Sequence, residues 1–163
     1  MAKDIIFVTG FFGAPVKETA EQVAMEKGFD LLSLDDEIER SDGRSILRIC
    51  MIMGEREYRN KEYEMLVKLT GAAEAGDSGR GVVIYCGDGV LNDEMSRQLI
   101  SDHQLIIAGE NMTPLQLWEN ARTITDSPHA FMHFGDEETK KQAFMELLER
   151  QRRLLGTSKN GKK

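Results

Sequence analysis

Three short runs of consecutive apolar residues stand out along this chain: Ile5–Thr9, Val82–Cys86 and Leu105–Ala108. Strands that are apolar on both faces belong in the buried middle of a parallel sheet, where helices cover each side. A fourth, weaker strand is expected at Leu31–Leu34. Between the runs lie stretches of helical character: Pro15–Lys27, Ser45–Met53, Glu55–Ala75, Asp93–Ser101 and Pro114–Ala121, with a last helix from Glu137 to about Leu155. This alternation predicts a doubly wound α/β fold, three layers in the order α/β/α. Ser33 to Asp36 has the form of a helix cap. The plainest turn is Gly76–Gly81, and periodicity fails from Thr123 to Asp136, around Pro128, His129 and His133.

Composition narrows the picture. At 163 residues the chain holds one domain, assigned to 1–155, with a polar tail at 156–163 expected to be disordered. The net charge of −7 argues against a nucleic-acid partner or an anionic membrane surface. No apolar run reaches the ~18 residues that suggest a transmembrane helix. Met1–Asp4 leads straight into the first strand, leaving no signal peptide. Cys50 and Cys86 are isolated and suggest neither a disulfide framework nor a zinc site, so a cytoplasmic location is expected. His129 and His133 have the spacing of two ligands on one helical turn, near Asp136 and Glu137. Without a helix there or a convincing third ligand, no metal site is expected.

The first strand runs into Gly10-Phe11-Phe12-Gly13-Ala14-Pro15-Val16-Lys17 and then a helix, the layout of a phosphate-binding loop. Such a loop needs a glycine to expose backbone N–H groups, a lysine to neutralise phosphate, and a hydroxyl to hold magnesium. Here Pro15, Val16 and Lys17 stand in those places. Proline removes a donor, valine removes the cation, and a charged lysine cannot ligate a metal. Gly10, Gly13 and Ala14 complete the remnant.

Over most of its length the chain resembles the shikimate kinases, small kinases of the nucleoside-monophosphate-kinase type. The segment from Gly28 to Glu39 matches the family's glycine, short strand, Asp-x-Asp pair and Ile-Glu without a gap. Counting back from Gly28 in the family's spacing puts Val16, not Lys17, at the lysine position; a local bulge would bring Lys17 close. The resemblance places Asp35 on the substrate's hydroxyls. It places Arg59, within Gly54–Glu62, and Arg150, within Glu149–Arg150, on the substrate's carboxylate, and puts Gly87 and Gly89 in the family's glycine segment. Asp88 adds a carboxylate between those glycines and is expected to repel an anionic substrate. Singly, Arg59 and Arg150 also read as surface pairs with Glu55 and Glu146, four residues before each.

The departures fall on the nucleotide side. Ser33 replaces the first aspartate of the pair, linked to magnesium in the family. Ser127-Pro128 replaces the lid's Arg-Pro, and Arg122 is a candidate for another lid arginine. After Glu149-Arg150 the family continues into a fifth strand and an adenine-binding loop, and Gln151–Lys163 is too short to supply both. The resemblance thus implies four strands in the order 2-3-1-4. Two functional readings follow. In the first, ATP and Mg²⁺ are no longer used, and the protein works by binding a small carboxylated metabolite or a protein. In the second, it is an active shikimate kinase that transfers the γ-phosphate of ATP to the 3-hydroxyl of shikimate, with Lys17 as phosphate cation and Asp35 as base. The uncovered Leu105–Ala108 edge would be closed by the last helix, through Phe144, Leu147, Leu148, Leu154 and Leu155, or by a second copy or partner protein.

Overall fold

A computed structural model of the chain describes residues 4–76 and 79–160. The middle of the Gly76–Gly81 turn and the end of the polar tail, 161–163, lie outside the described residues. Four strands form one parallel sheet in the order β2-β3-β1-β4: β1 (Ile5–Gly10), β2 (Asp30–Ser33), β3 (Val82–Tyr85) and β4 (Gln104–Ala108). This is the expected order. β1 is central and buried along its whole length, as its unbroken apolar run requires.

Alternate residues of β1 face opposite layers. Ile6 and Val8 pack with Ala20 and Ala24 of α1 (Val16–Lys27), which covers one face. Ile5 and Phe7 join the larger core on the other face, with residues of α2 (Leu34–Asp42), α3 (Ile46–Met53) and α4 (Glu55–Ala75). The same core takes in α5 (Glu94–Ser101), α6 (Pro114–Ala121) and α7 (Glu137–Asn160). Helix ends follow local chemistry. Ser33, Ser45, Asp93 and Thr113 cap four helices by accepting a backbone N–H three residues on. Gly28 closes α1 at φ 69°, a left-handed conformation that favours glycine.

Three expectations need correction. β2 ends at Ser33, because Leu34 turns inward as the first residue of α2. Residues 123–136 are not wholly irregular, since Ala130–His133 forms a 3-10 turn. The last helix does not take its apolar face to the β4 edge. Phe144 packs on Trp118 of α6, with ring centroids 5.3 Å apart, and on Phe12, at 6.0 Å. α7 therefore lies over α6 and the glycine loop, and runs on to Asn160. β4 stays at the edge, with Gln104 exposed and Leu105 and Ile106 half-buried.

Candidate functional site

The glycine loop keeps its backbone shape. Gly13 has φ 97°, and a Cβ there would strike the Leu117 carbonyl; a Cβ on Gly10 would lie 2.6 Å from the Ala108 carbonyl oxygen. Both positions need glycine for close approach. Pro15 precedes α1 and gives it no side-chain cap. Val16 is half-buried in the core beneath α1. Lys17 is exposed and faces a cavity of about 570 Å³.

That cavity runs from the glycine loop across Ser33, Asp35 and Gly87 to Ser127 and Pro128. Glu18, Asp35, Asp36, Glu39, Asp88 and Asp126 line it, and Lys17 is the one Lys or Arg among its lining residues. A polyphosphate entering here meets a negative field. The Ser33 hydroxyl accepts the Asp36 N–H at 3.1 Å as a helix cap.

Asp35 begins the first turn of α2, which aims it under the loop after β3. The buried Tyr58 hydroxyl donates to its Oδ1 at 2.6 Å. Burial pushes its pKa up to about 6, against the opposing pull of Tyr58 and Arg59. Gly87 crosses close above: a Cβ there would sit 3.1 Å from the Tyr58 hydroxyl and 3.5 Å from Asp35 Oδ2.

Arg59 lies one residue on in α4 and is only 9% exposed. Its Nη1 donates to Glu62 Oε1 at 2.8 Å and its Nη2 to Glu55 Oε1 at 2.9 Å. Its guanidinium also sits 4.8 Å from the Tyr58 ring centre. Burial acts against its charge, but Glu62 and Glu55 outweigh burial and hold it protonated. Glu62 is fully buried, and burial pushes its pKa up to about 7. Its Oε2 and the Arg59 Nε have no partner among the described residues. A Cβ on Gly89 would run into the Arg59 guanidinium. Arg59 therefore does pair with Glu55, yet it is buried and tied to Glu62, unlike a surface pair.

Arg59 and Arg150 both line a second cavity of about 590 Å³, with Tyr58, Asn92, His129 and Gln151. The sequence expectation of one cleft becomes two adjoining cavities. Asp35 and Gly87 face the first, Arg59 and Arg150 the second, and Pro128 lines both.

At the boundary between them, Asp88 is not a free carboxylate. His129 Nε2 and Gln151 Nε2 each lie 2.7 Å from Asp88 Oδ2. Burial raises its pKa, but His129 and Gln151 outweigh burial and hold it below the usual carboxylate value. His133 Nε2 donates to the Ser127 carbonyl at 2.7 Å, so the two imidazoles serve different protein contacts. Arg122 pairs with Glu119 and Glu137 on the surface. Sequence reasoning missed Gln151, and it weighed His129 only as a metal ligand. A local signal existed for neither, because their partner lies 63 and 41 residues away.

Comparison with known proteins places this geometry. A family model described as shikimate kinase matches residues 17–153. A shikimate kinase from Chlorobium limicola is 32% identical over 124 residues, 76% of this chain and 58% of the relative. One from Psychromonas ingrahamii is 28% identical over 141 residues, 86% of this chain and 77% of the relative. The chain thus spans about three fifths of the length of the Chlorobium relatives it matches. Among solved structures, a shikimate kinase from Acinetobacter baumannii in complex with shikimate superposes with a TM-score of 0.78 at 21% identity. That superposition covers 96% of this chain and 80% of the other, and it speaks to the fold. Among the described residues no helix is long and apolar enough to cross a membrane.

Proposed function

We propose, from the premise that this chain belongs to the shikimate kinase family, that its cleft binds a shikimate-like carboxylated polyol while ATP-dependent phosphoryl transfer is lost or strongly reduced. One observation carries the proposal. The acceptor side keeps Asp35 for hydroxyls and Arg59 and Arg150 for a carboxylate, while the same first cavity offers Lys17 against five further carboxylates. Arginine's planar fork suits a carboxylate. Asp35 accepts a hydroxyl's hydrogen when ionised, and with its pKa at about 6 it is mostly ionised at neutral pH.

The residues present do not fit a magnesium-bound nucleoside triphosphate. Val16 is packed inward, Pro15 lacks a donor N–H, and the Ser33 hydroxyl is taken by a helix cap. Removing one preorganised donor costs about 10²–10³ in rate, and here several are absent together. Without Val16's lysine counterpart, Lys17 and the N-terminus of α1 remain as the attractive elements for phosphate.

The second reading is an active shikimate kinase, with Asp35 taking the proton of the 3-hydroxyl and Lys17 facing the phosphates. Two observations favour it. The relatives named above are all shikimate kinases, and nothing in them points to lost catalysis, so on that ground the active reading stands at least as well. Asp35 also has the near-neutral pKa that suits a general base.

Calorimetry with shikimate, run beside a coupled assay with ATP–Mg²⁺, separates the two. Shikimate binding without turnover supports the first reading. Turnover in the ordinary kinase range of about 1–100 s⁻¹ establishes the second. No binding and no turnover sinks both. We further propose that the open side of β4 receives a second copy or a partner protein, since exposed strand edges invite pairing. Light scattering at micromolar concentration that reports a monomer removes the self-association.

A further inference from the structure

We infer that Asp88, His129 and Gln151 form a latch that keeps the cleft divided, and that a ligand reaching from Asp35 to Arg59 and Arg150 must first break it. Three short contacts join four separate segments. The Asp88 carboxylate, in the loop after β3, takes His129 Nε2 and Gln151 Nε2 on the same oxygen, each at 2.7 Å. Gln151, in α7, uses its other end to accept the Phe12 N–H of the glycine loop at 3.0 Å. His129 belongs to the segment between α6 and α7, and its backbone N–H donates to the buried Ser127 hydroxyl at 3.1 Å.

The latch is also packed. The His129 ring packs against Phe12, with centroids 4.6 Å apart, and against Phe131, at 5.6 Å. Asp88 lines the cavity with Asp35, while His129 and Gln151 line the cavity with Arg59 and Arg150. The bonds among these three side chains therefore cross from one cavity to the other, as the Tyr58–Asp35 bond also does. The parts of the latch depend on one another. Gln151 can hold the Phe12 N–H and Asp88 together in one orientation only, with its oxygen toward the loop and its nitrogen toward the carboxylate. If His129 swings out, Asp88 is left with one neutral donor in a buried place, where a carboxylate demands water or a new partner. Water entering there frees Gln151, and with it the Phe12 N–H. Opening is thus concerted, and it merges the two cavities while loosening the glycine loop.

The latch stands on these contacts, and only the ligand used to probe it rests on the acid-binding reading. The test therefore has one readout without ligand and one with it. Amide exchange at Phe12 is followed by NMR in the wild type, His129→Phe and Asp88→Gly, all ligand-free. His129→Phe keeps the aromatic stack and removes the nitrogen. Asp88→Gly removes the carboxylate, so it carries the test if the first variant leaves a buried charge that prevents folding. Both variants should speed Phe12 exchange by about tenfold, the worth of one net hydrogen bond, with Phe7 in the central strand unchanged. Both should also tighten calorimetric shikimate binding by about tenfold. Unchanged Phe12 exchange overturns the latch, and so does faster exchange with unaltered shikimate affinity. Faster exchange with no shikimate binding in any of the three proteins leaves the latch standing and refutes the acid-binding reading instead.

Discussion

Replacing Arg59 with alanine should destabilise the fold by an amount that grows with pH above neutrality. The reason is Glu62, which is wholly buried, has one oxygen on Arg59 at 2.8 Å and leaves the other without a partner. Burial lifts its pKa from an ordinary 4.5 to about 7, while Arg59 pulls it down. A carboxyl with a raised folded pKa holds its proton longer in the folded state than in the unfolded one. Stability is then greatest below the unfolded value and falls as pH rises to the folded one. Across that window the fall is up to about 3 kcal/mol, at about 1.4 kcal/mol per unit, and above pH 7 the wild-type curve levels.

Without Arg59 the downward pull is gone, and the folded pKa moves above 7. The decline then continues past neutrality at about 1.4 kcal/mol per pH unit. To this is added the loss of the hydrogen bond to Glu62 in its protonated form, about 0.5–1.5 kcal/mol. The exposed Glu55 contact contributes little. Arg59→Ala should therefore cost about 1 kcal/mol at pH 6 and about 2–3 kcal/mol at pH 8. Urea unfolding, read by fluorescence of the buried Trp118, measures both. Arg59→Ala with Glu62→Gln should lose the extra slope. Wild-type and Arg59→Ala stabilities that run parallel from pH 6 to pH 8 would refute the reasoning, because Glu62 would then have found water in place of the guanidinium.

Asp35 has the same sign. Burial raises it from 3.8 to about 6, so Asp35→Asn, which can still accept from Tyr58, should stabilise the fold by about 1–3 kcal/mol at pH 8 and not at pH 3.5, in thermal melts at the two pH values. Gly13→Ala combines φ 97° with a collision at the Leu117 carbonyl, whereas Gly28→Ala meets left-handed backbone in open space. The first should cost more than about 3 kcal/mol and the second about 1 kcal/mol by urea unfolding; equal costs would mean the glycine loop is slack. Pro15→Gly with Val16→Lys should raise ATP–Mg²⁺ affinity by at least about tenfold in calorimetry, and a micromolar affinity already present in the wild type would overturn the account of the loop.

What the sequence disclosed and what it hid divide along physical range. β1, β3 and β4 were legible because each is a continuous apolar run, and such a run has few places to go but the middle of a covered sheet. The cap at Ser33 was legible because its bond reaches only three residues. The turns at Val90–Asn92 and Ala130–His133 have no such code, being held by contacts from distant segments. In the site the same line separates Arg59 from His129. Arg59 sits in a helix whose register alone brings Glu55 and Glu62 to it, so a local pattern hinted at its partners, and the order of the surrounding motif hinted at its pocket. The spacing of His129 and His133 is that of two ligands on a helical turn, without a metal site being expected; what the spacing could not tell is that their imidazoles turn to different partners, one of them on the loop after β3. Asp88 shows what this does to a charge argument. Read along the chain, its carboxylate is an unpaired negative charge among glycines. Folded, it accepts two donors brought from later segments, which hold it ionised where the two cavities meet. The sign of a charge is written in the sequence. Its effect on a ligand depends on partners that only the fold supplies, and at this position they occupy one carboxylate oxygen without removing the charge.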